Sequence, residues 1–386
     1  MSKKITVSKA IREGLLEEMR RDDKMFIMGE DMAVMGNVFA ITTGFLDEFG
    51  PNRVIDTPIS EEGFLGMAVG AAMRGMHPCV ELMYDDFVTV CADPLFNQAA
   101  KLKYMSGGQC SIPLVLRMPM GSGRRNAGQH SQSLEGMVCH FPGLKVVAPC
   151  SAADAKGLIK SAMRDPDPVV VFEHKLLYAK KEEIPEDEDY LVPIGKANVK
   201  REGKDLTIIT WSREVNFSME AAEKLAAEGI DVEVLDLRTL VPIDWDAIKA
   251  SISKTHNAII VSEEVKRGSF AGELSAQIGE ELFDELDAPV ERVCGLNKSG
   301  NTVSFEAEKV LVAIGRKANT AALDLAAGKI DNNKGRILVN DKMETNVPGV
   351  YAIGDCVFGH AQLAHTASAM REAALNAEKR AIHTKN

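Results

Sequence analysis

Two carboxylates and one histidine are the residue types in this chain on which chemistry could rest. Glu61 and Glu62 lie in Arg53-Val-Ile-Asp-Thr-Pro-Ile-Ser-Glu61-Glu62-Gly-Phe-Leu-Gly-Met-Ala-Val-Gly70, where a short β-branched run breaks at Pro58 and a small-residue helical pattern follows. A simple explanation exists for such a junction. Ser60 caps the helix, and negative charge in the first turn is favoured by the helix dipole. That explanation suffices for Glu62. Glu61 carries a second reading, because Gly63, Gly66, Ala68, Gly70, Ala71 and Ala72 make a helix thin enough for another backbone or a flat cofactor to lie against it. His130 belongs to Gly121-Ser-Gly-Arg-Arg-Asn-Ala-Gly128-Gln-His130-Ser-Gln132, too long and glycine-rich for a plain connection. Proton transfer by His130 competes with the role of an ordinary hydrogen-bonded loop histidine. Arg124 and Arg125 can bind an anion or face water. The Gly-x-Gly fragment is a weak phosphate signal, since no P-loop lysine follows it.

The elements that must hold these residues alternate. Apolar positions Val7, Ile11, Leu15, Leu16 and Met19 recur at helical spacing, and Met25 to Met28 reads as a buried strand ending at Gly29-Glu30-Asp31. Strands are expected over 78–84, 113–118 and 168–172, with helices over 86–104 and 151–164. Such alternation implies a mostly parallel sheet covered on both faces. Lys180 to Asp189 is a charge run with a proline and reads as a solvated linker at a domain boundary. Alternation then resumes with strands over 206–211, 232–235, 258–261 and 289–293 and helices over 215–228, 245–251 and 270–283. In this half His256 and Glu263-Glu264 stand at strand ends, candidates for an interface or a substrate mouth, with plain surface the expectation. From about residue 297 the texture changes, with strands expected at 309–314, 336–339 and 350–353, the last ending in Gly354-Asp355. No Gly-x-Gly-x-x-Gly turn accompanies that aspartate.

At 386 residues with 45% hydrophobic content, the chain can bury cores for two or three domains. A net charge of −11 argues against nucleic acid or an anionic membrane as the main partner. Seven cysteines include no Cys-x-x-Cys pair, which fits reduced thiols and a cytoplasmic location. Neither an export signal nor a membrane span is expected.

Several ordered stretches resemble one family. They are Val54 to Glu61, Asn97-Gln-Ala-Ala-Lys101 with Tyr104 to Gly108, Gln129-His-Ser-Gln132, Pro142 to Val147 and Asp154 to Leu158. The resemblance, from about Ile5 to Gly295, is to the β subunit of the thiamine-diphosphate component of 2-oxo acid and acetoin dehydrogenase complexes. Glu81 to Phe87, Glu173 to Tyr178 and Asn198 to Gly203 tilt it toward the acetoin branch, with pyruvate open. It implies two transketolase-like three-layer α/β domains, pyrimidine-binding over 1–178 and C-terminal over 201–296, joined by an acidic linker over 179–200. It also implies that Glu61 bonds the aminopyrimidine nitrogen of the cofactor across a subunit interface, stabilising the imino tautomer, with burial raising the pKa of the carboxyl. Phe87 would pack against the pyrimidine. His130 would move protons as the two-carbon unit passes to lipoyl-lysine. Carbonyls of Leu114, Ala162, Met163, Asp165 and Asp167 would match a potassium site, a reading that competes with ordinary loop carbonyls.

The family's magnesium and diphosphate signature, Gly-Asp-Gly with a downstream Asn-Asn, is absent from the sequence. The resemblance therefore assigns magnesium and the diphosphate end to an α subunit in an α2β2 assembly, which would work with a lipoyl-bearing acyltransferase core. Residues 297–386 depart from the family. Val312 to Arg316, Thr345 to Asp355 and Gln362 to His365 resemble dihydrolipoamide dehydrogenase, with Asp355 and Gln362–His365 matching flavin contacts and Gly315 a nicotinamide contact. The first dinucleotide fold and the redox disulfide are missing, so an incomplete nucleotide-binding-type α/β tail that does not bind FAD is expected. Two alternatives remain beside a catalytic β subunit: a non-catalytic chimera that keeps partner binding only, and a flavin disulfide oxidoreductase.

Overall fold

The computed structural model describes residues 2–295, 320, 323–353 and 356–359. The chain divides into two compact units, Met1–Gly300 and Asn301–Asn386. In the first, β1 (Ser2–Thr6) leads into α1 (Val7–Arg21), then β2 (Met25–Gly29), α2 (Phe45–Phe49), β3 (Val54–Asp56), α3 (Glu61–Met73) and β4 (His77–Glu81). Next come α4 (Leu102–Met105), β5 (Val115–Met120), α5 (Glu135–Cys139), β6 (Lys145–Val147), α6 (Ala152–Met163), β7 (Val169–His174) and β8 (Lys181–Pro185). The second half runs β9 (Asn198–Arg201), β10 (Leu206–Thr210), α7 (Glu214–Ala227), β11 (Val232–Asp236), β12 (Thr239–Val241), α8 (Trp245–Thr255), β13 (Ala258–Val265), α9 (Phe270–Glu281) and β14 (Glu291–Gly295).

Two sheets result. The first has the order β12-β6-β7-β5-β4-β2-β3 and is parallel except for its β12 edge; the second has the order β14-β13-β10-β11-β9, with β9 antiparallel. Parallel strands covered on both faces should be apolar throughout, and Met25–Gly29 and Val169–His174 are buried at every residue. Successive residues feed opposite faces. Phe26 and Met28 join the cluster with Phe64, Leu65 and Ala68 of α3, while Met25 and Ile27 join Ile11 and Leu15 of α1 and Leu158 and Ile159 of α6.

Local signals account for the helices on the second face. Thr6 accepts from the Lys9 N–H at 3.3 Å at the start of α1, and Ser151 accepts from the Asp154 N–H at 3.1 Å at the start of α6. The two helices approach so closely at Gly14 that a Cβ there would lie 2.5 Å from Ile159 Cγ2. Their charged rims interlock as well. Arg164 donates to Glu18 at 2.6 Å, and Lys156 and Lys160 reach Glu17 at 2.6 and 2.7 Å.

Three expectations change. The helix expected over 86–104 is a 3-10 turn at Asp85–Thr89, a wide π-type turn at Asp93–Ala99 and the short α4. Pro94, at the second position of the π turn, lacks the N–H that a continuous helix would use there. The charge run is not wholly solvated linker either. Lys181–Pro185 forms β8, antiparallel to β1, with Ile184 buried. Finally, β12 comes from the second half of the chain yet closes an edge of the first sheet, and the cluster around Phe64 continues through Trp211, Leu235 and Ile248. The halves are interlocked by strand exchange and a common core.

In the second unit, β15 (Asn332–Asn333) and β16 (Arg336–Ile337) form a hairpin whose turn residues Lys334 and Gly335 both have positive φ, 51° and 84°. That is the turn geometry whose twist suits a two-residue connection. Leu325, Ile337, Met343, Ala352 and Val357 form a small apolar cluster beside it. The strand expected at 336–339 is limited to β16, and at 350–353 only Tyr351 pairs, with Glu344. The strand expected at 309–314 and residues Gly315, Gly354, Asp355 and Gln362–His365 lie outside the described residues.

Candidate functional site

Four neighbouring parallel strands deliver the candidate residues. β2, β3, β4 and β5 point the same way, and the segments leaving their carboxyl ends carry Glu30, Glu61, Phe87 and His130 respectively. In open α/β sheets that edge is where ligands bind.

Glu61 is the first residue of α3 and is only 6% exposed. Ser60 occupies the position before it but makes no side-chain cap bond, contrary to expectation. Its hydroxyl instead folds over Gly63, where a Cβ would meet it at 2.8 Å. Glu30 lies beside Glu61. Its carboxyl is pushed up to about 7, first by burial and then by the charges of Glu61 and Asp31. Oε1 of Glu30 is buried without a hydrogen-bond partner among the described residues. An unsatisfied buried oxygen is expensive unless something polar meets it.

The rest of the site is aromatic and acidic. Phe87, in the 3-10 turn, stands edge-on to Tyr84 at 6.2 Å and to His130 at 5.4 Å, and His130 meets Tyr84 at 4.6 Å. Cys91 links this group to Glu61: its thiol lies 3.8 Å from the Phe87 carbonyl and is pushed up to about 12 by burial and then by the Glu61 charge. Below the aromatic group, Asp85 is held well above the usual carboxylate range by burial and by Asp86, against Lys175. Gln132 donates to Asp86 at 2.8 Å, and Lys175 donates to the His130 carbonyl at 3.0 Å. Fully buried Arg117 ties the strands beneath, donating to Glu81 at 2.6 Å and to Glu173 at 2.7 Å, while Asn37 from the loop after Glu30 also bonds Glu81.

The five carbonyl-bearing residues sit elsewhere. Leu114 precedes β5, Ala162 and Met163 end α6, and Asp165 and Asp167 precede β7, so they gather at the amino edge of the sheet. The Leu114 carbonyl accepts from Val169 N–H at 2.9 Å, leaving one lone pair, and that of Ala162 accepts from Asp165 N–H at 3.2 Å and is also approached by the Arg164 N–H. Lys145 takes the Asp165 carboxylate at 2.7 Å, and Lys103 and Lys145 take that of Asp167. Neutral carbonyls are therefore the donors left for an ion, and a large monovalent cation suits them. A cleft of about 590 Å³ opens beside Met163, Asp165, Cys110 and His77.

Glu263 and Glu264 are not plain surface. Glu263 accepts from His174 across the junction of the two halves, and buried Glu264 accepts from the N–H groups of Gly136 at 2.6 Å and Phe270 at 3.0 Å. Sequence reasoning did not single out Glu30, Asp85 or Lys175 for a site. The available signal was an acid or a lysine directly after an apolar strand.

A parallel α/β sheet with a buried acid, an aromatic wall and a histidine at its carboxyl edge, interlocked with a second α/β sheet, is transketolase architecture. Residues 3–181 match the transketolase pyrimidine binding domain and residues 195–319 the transketolase C-terminal domain. A split-gene transketolase solved as an inactive β4 tetramer shares the fold at 22% identity and a TM-score of 0.62, over 76% of this chain and 90% of that one. Curated relatives narrow the class. The 2-oxoisovalerate dehydrogenase subunit beta of Bacillus subtilis is 43% identical over 82% of this chain and 97% of its own length. The acetoin:2,6-dichlorophenolindophenol oxidoreductase subunit beta of the same organism is 44% identical, over 76% and 89%. The pyruvate dehydrogenase E1 component subunit beta of Rhizobium meliloti is also 44% identical, over 75% of this chain but only 63% of its own length. The chain belongs to the family of β subunits of thiamine-diphosphate-dependent 2-oxo acid and acetoin dehydrogenases. Among the described residues no helix is long and apolar enough to cross a membrane.

Proposed function

We propose that this chain supplies the pyrimidine half of an active site shared with an α subunit in an α2β2 dehydrogenase. That enzyme cleaves acetoin or decarboxylates pyruvate and passes the two-carbon unit to lipoyl-lysine of an acyltransferase core. The observation that carries the reading is buried Glu61 beside Glu30 at the carboxyl edge of the sheet, where the Glu30 carboxyl is pushed up to about 7 and keeps an oxygen without a hydrogen-bond partner among the described residues. Such a pair fits an aminopyrimidine, which offers a ring nitrogen to share a proton and an amino group to donate one. When bound, thiamine diphosphate supplies the electron sink for breaking the bond next to the substrate carbonyl. Glu61 holds the proton at the ring nitrogen, and Glu30, pushed up to about 7, carries its charge only in part near neutral pH. The half-buried ring of Phe87 supplies an apolar wall. His130, against Phe87 and Tyr84, moves the proton of the transfer step. The α subunit brings magnesium and holds the diphosphate. Leu114, Ala162, Met163, Asp165 and Asp167 hold potassium through their carbonyls, far from the chemistry. The site residues work inside a pyrimidine-binding domain over 1–178 and a C-terminal domain over 201–296, and the protein acts in the cytoplasm.

We also infer that the chain past about residue 297 is a dihydrolipoamide-dehydrogenase-type fragment without flavin. The motifs Val312 to Arg316 and Thr345 to Asp355 support this, although the match to the transketolase C-terminal domain runs on to residue 319. A chimera competent only for partner binding is the second reading, because the fragment stands where the family's own terminal segment would be.

The test is co-expression with the cognate α subunit. Thiamine diphosphate with magnesium should bind saturably to the assembly and not to either chain alone, and turnover with acetoin, pyruvate and 2-oxoisovalerate identifies the substrate. Glu61→Gln should remove turnover by several orders of magnitude while the assembly persists. Tight binding by this chain alone, or near-normal turnover of Glu61→Gln, would refute the shared site.

A further inference from the structure

The loop that carries His130 is tied to the other half of the chain through the carboxylate of Glu263. Glu263, near the end of β13, accepts through Oε1 from the backbone N–H of Ser122 at 2.8 Å and from the Ser122 hydroxyl. Through Oε2 it accepts from Nε2 of His174 at 2.6 Å. His174 ends β7 and is buried, and its Nδ1 accepts from the Leu176 N–H at 3.2 Å, which puts the ring proton on Nε2. Lys175, between those two residues, donates to the His130 carbonyl at 3.0 Å. At the base of the loop the Gly121 N–H donates to the Gln132 carbonyl at 2.9 Å. Gly121 has φ +92°, and a Cβ on it would lie 2.2 Å from His174 Nε2, so only glycine lets the imidazole lie under the loop.

We propose that Glu263 is a positioning residue for His130, acting through Ser122 at the start of the loop and through His174 and Lys175 beneath it. The inference rests on the reading that His130 handles the proton of two-carbon transfer. Glu263 has two routes to one side chain, and both cross the junction between the halves. Its carboxyl is held down at about 2, since bonds from His174 and Ser122 outweigh the effect of burial. Glu263 is therefore a fixed acceptor at working pH and not a proton carrier itself. A glutamine in its place could still accept from Ser122, but its amide N–H would face the Nε2–H of His174. The imidazole would then switch tautomer and give up Leu176, loosening the turn that aims Lys175 at His130.

The experiment uses the holoenzyme with its α subunit and separates two rates: reduction of dichlorophenolindophenol, which needs no lipoyl acceptor, and two-carbon transfer to a lipoylated protein domain. Glu263→Gln should lower kcat for transfer by roughly 10- to 100-fold, with KM for the lipoyl domain unchanged and the dye-linked rate within about twofold of wild type. His174→Gln, which can still donate to Glu263 but cannot accept from Leu176 in the same way, should give the same split and serves if Glu263→Gln fails to assemble. Both rates falling together, or neither falling, would overturn the proposal by making Glu263 a plain structural tie. His130→Asn is the control: if it leaves transfer intact, the reading of His130 fails, whereas an intact transfer in Glu263→Gln beside a defective His130→Asn defeats the positioning role alone.

Discussion

Replacing Glu30 should make the protein more stable at alkaline pH. A carboxyl moved from 4.5 to about 7 has its charged form disfavoured by burial and by Glu61, at most about 3 kcal/mol at 1.36 per pKa unit. Water on the open side of the crevice trims that to about 1–2 kcal/mol. The sign follows from linkage: the folded chain holds this proton more tightly than the unfolded chain does, so the penalty is absent below about pH 4.5, grows as pH rises, and is complete above about 7. Glu30→Gln removes the charge and keeps the shape. Urea unfolding at pH 8 should therefore show the variant more stable by about 1–2 kcal/mol, a midpoint shift of roughly half a molar at unchanged slope. The difference should fall to a small part of that by pH 5 and vanish below about pH 4. Glu214 and Glu264 also sit at about 7, but they titrate equally in both proteins and cancel in the comparison. Glu61→Gln removes only one of the three causes, since burial and the Asp31 charge remain, and should give a smaller gain. A variant no more stable than wild type at pH 8, or a gain that persists unchanged at pH 5, would refute the argument that the site stores electrostatic strain.

Gly14→Ala should cost about 1–3 kcal/mol in the same urea assay, because the new Cβ meets Ile159 Cγ2 at 2.5 Å and the Lys156 carbonyl at 3.2 Å; a neutral outcome would mean the helices separate freely. Exchanging potassium for sodium should lower the melting temperature of the assembled enzyme if the carbonyls around Asp165 bind the larger ion, and identical melting in both salts would remove that site. The purified chain should be colourless, since no pyrophosphate turn accompanies Asp355 and His365 in the sequence; co-purifying yellow flavin would contradict this.

What was legible in the sequence follows how far each residue's partners lie along the chain. The β2 strand and the capped helices α1 and α6 rest on neighbours within a few positions: alternating faces of one apolar run, or Ser151 with Asp154. The candidates Glu61 and His130 stood out by residue type and setting, at a strand-to-helix junction and in a long glycine-rich loop, whereas Phe87 was singled out only by the family resemblance. Lys181–Pro185 was not, because what makes a charged stretch into a strand is pairing with Ser2–Thr6 at the other end of the half. The same holds for Glu263 and Glu264. Charge at a strand end reads as surface until Ser122, Gly136 and His174 arrive from more than eighty residues away to satisfy it. Burying these acids is tolerable only because each finds those bonds. Glu30 differs from them, as Asp85, Asp86 and Glu135 do in part, in keeping a buried oxygen without a hydrogen-bond partner among the described residues. It lies beside a second acid, an arrangement that costs stability unless a polar group meets the oxygen.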